Sequence, residues 1–145
     1  MKILVINGPN LNFLGIRSRD IYGHEDYKSL LEKILTFSQE QQVETECYQS
    51  NHEGAIIDRL QKAYDDGVDG IVINPGAYTH YSYAIRDAIS SILIPTVEVH
   101  ISNIYEREAF RHVSVTKDVC VHQIFGKGLE GYLEAISYLK NRHQA

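Results

Sequence analysis

Short apolar runs alternate with helix-periodic stretches along the whole chain, and this alternation limits the possible folds more than any other feature. Lys2–Asn7 (KILVIN) is rich in β-branched and aliphatic residues and is closed by Gly8-Pro9, which reads as a strand buried on both faces. His24–Gln42 carries Tyr27, Leu30, Leu31, Ile34, Leu35 and Phe37 near helical spacing, with polar residues on the other face. Val43–Gln49 alternates Val43, Thr45 and Cys47 with Glu44, Glu46 and Tyr48, the pattern of a sheet-edge strand with one wetter face. Ser50–Gly54 makes a turn. Ala55–Asp66 is a second amphipathic helix, with Ile56, Ile57, Leu60, Ala63 and Tyr64 inward, and Gly67–Gly70 ends it. Ile71–Ile73 is a short apolar strand running into Asn74-Pro75-Gly76, and Thr79 is placed to cap a helix that reaches Leu93. Pro95–Ile101 is a fourth strand, Ser102–Arg111 a charged loop or short helix, Val119–Phe125 a fifth strand and Leu129–Arg142 a final helix. The expected fold is α/β: a doubly wound, five-stranded parallel sheet with right-handed crossovers, in one domain spanning 1–145. No internal repeat, low-complexity segment or linker interrupts it.

Charge and cysteine usage narrow the partners. A net charge of −5 disfavours nucleic acid and anionic membranes, but leaves room for a small anionic substrate wherever arginines gather. Cys47 and Cys120 are expected in strands, as buried free thiols of a cytoplasmic protein rather than a disulfide framework. The first residues lack the features of a signal peptide, and no later run approaches membrane-spanning length.

Gly8–Gly23 is too rich in Gly and Asn, and too aperiodic, to be helix or strand throughout. It therefore reads as a long loop at the carboxyl end of the first strand, where open α/β sheets place their ligands. Arg17, Arg19 and Tyr22 lie between Gly15 and Gly23, so the loop resembles a hinged lid carrying an anion clamp and a phenol; a mobile surface loop with incidental charges is the alternative. At the same rim the topology gathers Asn10, Arg17 and Tyr22; then Asn74, Tyr78 and His80; then Glu98, His100, Ser102, Arg107 and Arg111. Glu98 and His100 share a strand face. A carboxylate beside an imidazole orients it and stabilises the imidazolium, which suits a general acid. A core Glu–His hydrogen bond is the alternative, and the neighbouring arginines weigh against it. Arg107 and Arg111 share a face if they stand on one helical turn. His24, His52, His112, His122 and His143 read as structural or solvated, and their spacing holds no metal-ligand pattern, so no metal site is expected. Gly126-Lys-Gly-Leu-Glu-Gly131 matches Gly-x-Gly-x-x-Gly between a strand and a helix, but the chain ends before a ribose-binding acid, so it reads as a helix-start turn.

Gly8-Pro-Asn-Leu-Asn-Phe-Leu-Gly-Ile-Arg17, Tyr22-Gly23, Gln49-Ser-Asn-His-Glu-Gly54, Asn74-Pro-Gly-Ala-Tyr-Thr-His80, Glu98-Val-His-Ile-Ser-Asn103 and Arg107 to Arg111, in that order, resemble the type II 3-dehydroquinate dehydratases. The likeness covers essentially the whole chain. It implies a flavodoxin-like fold, a homododecamer built from trimers, and removal of water from 3-dehydroquinate to give 3-dehydroshikimate in the shikimate pathway of aromatic amino-acid biosynthesis. No cofactor, metal or Schiff base is implied. Carried over by position, Tyr22 is the base that takes the proton next to the ketone, and Arg17 activates it. His100 is the acid that protonates the departing hydroxyl, oriented by Glu98. Asn10 helps stabilise the enolate. Asn74, His80 and Arg111 hold substrate hydroxyls, the backbone amides of Ile101 and Ser102 hold the carboxylate, and Asp87 reaches the neighbouring subunit's site. The family usually has Glu-Pro after the lid arginine; here Ser18-Arg19 stands there, which bears on the rigidity of the lid.

A phenol base makes a demand that can be weighed. Only roughly one free phenol in a thousand is ionised at neutral pH. One opposite charge nearby favours the anion by roughly 1–3 pKa units, while desolvation opposes it. The expectation is therefore that both Arg17 and Arg107 lie close to the Tyr22 oxygen, and that Tyr22 and His100 face each other across the substrate. Two rivals remain from sequence: a flavodoxin-like receiver or flavin-binding domain, though Asn7-Gly8-Pro9 stands where a receiver needs acids, and another carbonyl-chemistry lyase or synthase on a similar sheet.

Overall fold

Five strands, β1 (Lys2–Asn7), β2 (Glu44–Gln49), β3 (Gly70–Asn74), β4 (Thr96–His100) and β5 (His122–Phe125), form one sheet in the order β2-β1-β3-β4-β5, as described over residues 1–145 by a computed structural model. Every neighbouring pair is parallel. This is the flavodoxin-like doubly wound order expected from the alternation, with β2 at one edge. The order reverses direction between β1 and β3, so a crevice opens beyond their carboxyl ends.

The helices are α1 (Arg19–Tyr22), α2 (Tyr27–Gln41), α3 (Glu53–Asp65), α4 (Tyr83–Ile92) and α5 (Glu130–Gln144). The two-residue period of the strands divides the core between the faces. Leu4, Ile6, Ile71 and Ile73 pack with Ile56 and Leu60 of α3 and Ile85 and Ile89 of α4. Ile3, Val5, Val72, Val97 and Val99 pack on the other face with Leu30 and Ile34 of α2 and Tyr132, Ile136 and Leu139 of α5. Each such buried aliphatic side chain contributes about 1.5–3 kcal/mol, and together they make the sheet a rigid platform for the residues at its rim.

Five local expectations are revised. Tyr64, read as inward, stands exposed on α3. The helix expected from His24 begins at Tyr27, because Asp26 caps it by accepting from the Ser29 amide at 2.8 Å. Thr79 is not a helix cap. It is buried in a 3-10 turn, Gly76–His80, and Ser82 caps α4 instead, its Oγ accepting from the Ile85 amide at 3.0 Å. The fifth strand is shorter than expected, since Lys117–Val119 forms a 3-10 turn, so Cys120 lies outside the sheet and only Cys47 is in a strand. Ser102–Arg111 contains two separate 3-10 turns, Ile104–Glu106 and Ala109–His112, with extended backbone at Arg107 between them; Arg107 and Arg111 therefore do not share one helical face.

The loops after β1 and β3 interlock. The Gly8 amide donates to the Asn74 carbonyl at 2.8 Å. A Cβ at Gly8 would stand 2.5 Å from the Pro75 oxygen, and one at Gly76, whose φ is +61°, would stand 3.1 Å from the Pro9 oxygen. Backbone meets backbone here, and only glycine fits.

Candidate active site

The cleft at the sheet's carboxyl rim is lined by Asn10, Leu14, Arg17, Tyr22, Asn74, His80, His100, Ile101, Ser102, Ile104, Arg107 and Arg111. Of the candidate residues from sequence, Arg19, Tyr78, Glu98 and Asp87 do not line it: Arg19 is turned back onto the Gly15 carbonyl and the Tyr78 hydroxyl donates to the Asn51 carbonyl at 2.8 Å. Glu98 is fully buried behind His100, as a residue acting through the imidazole must be. Asp87 stands exposed on α4, away from this cleft.

Tyr22 ends α1, a single helical turn between Gly15 and Gly23, both with φ near +85°. Ser18, at φ +40°, opens that turn, and the Arg19 Nε donates to the Gly15 carbonyl at 2.7 Å. The lid is thus braced by a side-chain hydrogen bond from Arg19. The Tyr22 hydroxyl oxygen accepts from Arg107 Nη1 at 2.8 Å and from Arg17 Nη2 at 3.3 Å. Both guanidiniums also approach the ring face, 5.2 Å and 4.7 Å from its centroid. The paired arginines expected from the energetics of a phenol base are in place. Ser102 Oγ accepts from the same Arg107 nitrogen at 3.3 Å, and His112 Nε2 donates to the Arg107 carbonyl at 2.8 Å, which fixes that residue between its two turns.

His100 Nε2 lies 2.9 Å from Glu98 Oε2. A carboxylate only accepts, so Nε2 is the donor and Nδ1 is left for the cleft. Burial pushes the Glu98 carboxyl upward, but the hydrogen bonds and charge of His100, with donation from Thr116 and Gln123, outweigh it and hold the group at about 2. The donors form a cage: Thr79 Oγ1 at 3.1 Å, Ser114 Oγ at 2.8 Å, Gln123 Nε2 at 2.7 Å, and the Thr116 hydroxyl. Tyr105 donates to the Gln123 Oε1 at 2.8 Å and so fixes which end of that amide meets Glu98. Sequence reading missed the cage. Its members come from three separate segments, around Thr79, Ser114–Thr116 and Gln123, with no shared period, and only the burial of Glu98 itself signals that donors must surround it.

His80 Nδ1 donates to the Val113 carbonyl at 2.8 Å, leaving Nε2 as an acceptor. Burial holds its pKa below the ordinary value against that hydrogen bond, and the positive charges of His100 and Arg111 add to the effect, so it is a neutral imidazole at pH 7. Asn74 is oriented from the protein interior. Its Nδ2 donates to the buried Tyr132 hydroxyl at 2.9 Å, its Oδ1 accepts from the Gly76 amide at 3.1 Å, and Tyr132 donates to Asn7 Oδ1 at 2.6 Å. Asn10 has φ +69°, and its amide donates to Asn51 Oδ1 at 3.0 Å. Gln49 Nε2 donates to that oxygen and to the Gly8 carbonyl, both at 3.1 Å, so the Gln49–Asn51 turn buttresses the start of the lid.

The arrangement can do acid–base work on a small anionic molecule: a phenol under two cations faces a cleft that also receives a carboxylate-held imidazole. Comparisons with known proteins agree with that chemistry. Residues 1–140 match the family model described as Dehydroquinase class II. The chain is 64% identical over 136 residues, 94% of each chain, to the 3-dehydroquinate dehydratase of Lachnoclostridium phytofermentans. It is 61% identical over 139 residues, 96% of each chain, to that of Caldicellulosiruptor saccharolyticus. The crystal structure of a type II dehydroquinase from Butyrivibrio crossotus superposes with a TM-score of 0.96 at 64% identity, over 97% of each chain.

Proposed function

The chain belongs to the class II dehydroquinase family and is a hydro-lyase of that type, and from this premise we propose that it removes water from 3-dehydroquinate by anti elimination, in the shikimate pathway of the cytoplasm. The observation that carries the mechanism is the double donation of Arg17 and Arg107 to the Tyr22 oxygen, in the cleft that His100 enters from the sheet rim. The Tyr22 oxygen takes a proton from the carbon beside the ketone, and the electron pair moves into an enolate that Asn10 helps stabilise. The enolate collapses to expel the hydroxyl, which takes a proton from His100 and leaves as water. Glu98, held ionised by its cage, keeps His100 Nε2 as a donor and stabilises the imidazolium.

Asn74, His80 and Arg111 hold substrate hydroxyls, and the amides of Ile101 and Ser102 take the carboxylate. The whole of residues 1–145 acts as one catalytic domain, without cofactor. Asp87, exposed on α4, is assigned to a neighbouring subunit's cleft, within a homododecamer of trimers. No helix is long and apolar enough to cross a membrane. Adding 3-dehydroquinate to the purified protein should produce the conjugated enone absorbance of 3-dehydroshikimate. No absorbance change, or a borohydride-trapped adduct, overturns the reading.

A further inference from the structure

The Gly126–Gly131 turn matches a dinucleotide-binding string but does other work. Gly126 (φ +75°) and Gly128 (φ +59°) hold a left-handed backbone in which their two amides turn toward β4's end. The Gly128 N–H donates to the Ile101 carbonyl and the Gly126 N–H to the Ser102 carbonyl, both at 3.1 Å. A trans peptide carries its C=O and N–H on opposite edges. Fixing the Ile101 carbonyl therefore fixes the Ser102 N–H on the other edge. Neither the Ile101 nor the Ser102 N–H donates to any protein acceptor, and both residues line the cleft. Successive free amides on a cleft wall form a nest for an anion.

We propose that the Gly126-Lys127-Gly128 turn is the positioning element for carboxylate selectivity, aiming the Ser102 amide into the cleft through the Ile101 carbonyl. The proposal rests on the assignment of the substrate carboxylate to those amides. Its chemistry is backbone only. Lys127 is turned away, its Nζ 2.7 Å from Glu134 Oε2. A β-carbon at Gly128 meets nothing within 4 Å, so an alanine there acts through backbone conformation alone. At Gly126 it meets the Asn103 Cβ at 3.3 Å.

The test compares kcat/KM for 3-dehydroquinate with that for its methyl ester. The wild type should favour the acid by about a hundredfold, the scale of hydrogen bonds to a charged group. Gly128→Ala should cut that preference about tenfold, through KM, with kcat within about threefold. Gly128→Asn should restore it, because asparagine tolerates the left-handed region. Circular dichroism checks each fold; should Gly128→Ala not fold, Gly126→Ala carries the same comparison. A wild type without preference for the acid overturns the assignment of the carboxylate. A wild type with the preference, and folded glycine variants that keep all of it, overturns the role of the turn alone.

Discussion

Arg107 and Tyr22, 85 residues apart in sequence, meet at 2.8 Å, a shorter contact than the 3.3 Å from the lid's own Arg17. The fixed wall of the cleft, rather than the lid, therefore supplies the closer cation. Arg107→Ala should lower kcat by about 10- to 1,000-fold, the scale of one close charge on an ionising group. Steady-state rates check this; an unchanged kcat dissociates the pair from turnover.

Tyr22→Phe keeps the ring and its contacts with both guanidiniums while removing the proton acceptor. Turnover should fall by about 10²–10⁴-fold or more, with the far-ultraviolet circular dichroism unchanged. A variant that still forms the enone at near wild-type rate removes the base from the scheme.

The Glu98 cage ties stability to pH. The carboxyl lies at about 2, below the ordinary 4.5. The stabilisation it supplies is thus fully present above about pH 4.5 and is lost as the pH falls toward 2. Its size is on the order of 3 kcal/mol. Urea unfolding between pH 6 and 3 should show more than half of that loss in the wild type, about 2 kcal/mol. Glu98→Gln should be destabilised at pH 6 and show a flatter slope.

Tyr132→Phe leaves Asn7 Oδ1 and Asn74 Nδ2 without their buried partner. Urea unfolding should show a loss of about 1–3 kcal/mol. KM should rise as well, since Asn74 loses the bond that orients it.

Two glycines should respond in opposite senses. Gly8→Ala drives a methyl into the Pro75 carbonyl and should cost about 1–3 kcal/mol or more. Gly54→Ala, inside α3 with nothing within 4 Å of the new carbon, should stabilise by about 0.5–1 kcal/mol. Thermal and urea midpoints decide both.

The sheet was readable because burial repeats. Ile3 and Val5 face one layer and Leu4 and Ile6 the other, so a short apolar run sufficed to place β1. The Glu98–His100 pair was readable because a two-residue spacing on a strand is itself a contact. Arg107 beside Tyr22 followed from energetics rather than pattern, since one guanidinium leaves a phenol mostly neutral. Thr79 shows what stays hidden. A threonine ahead of a helical period looks like a cap, yet Ser82 has the extended backbone that capping needs, and Thr79 is turned inward to Glu98. Ser114, Thr116 and Gln123 carry no local signal at all, because they are selected by a carboxylate 16 to 25 positions away. The segment from Ser102 to Arg111 resisted for a related reason: its two short turns bend around Arg107, and no helical period describes a bend.

The loops carrying Gly8-Pro9 and Pro75-Gly76 touch main chain to main chain at Gly8, and at Gly76 against the Pro9 carbonyl and its ring, with no flexible side chain between them to trim or enlarge. Residue exchange therefore has little purchase on this part of the pocket floor. Remodelling the enzyme for a bulkier or differently shaped molecule has to proceed from the lid and from the bend around Arg107, so new specificities will be asymmetric, opening the pocket on those sides while the floor keeps its dimensions.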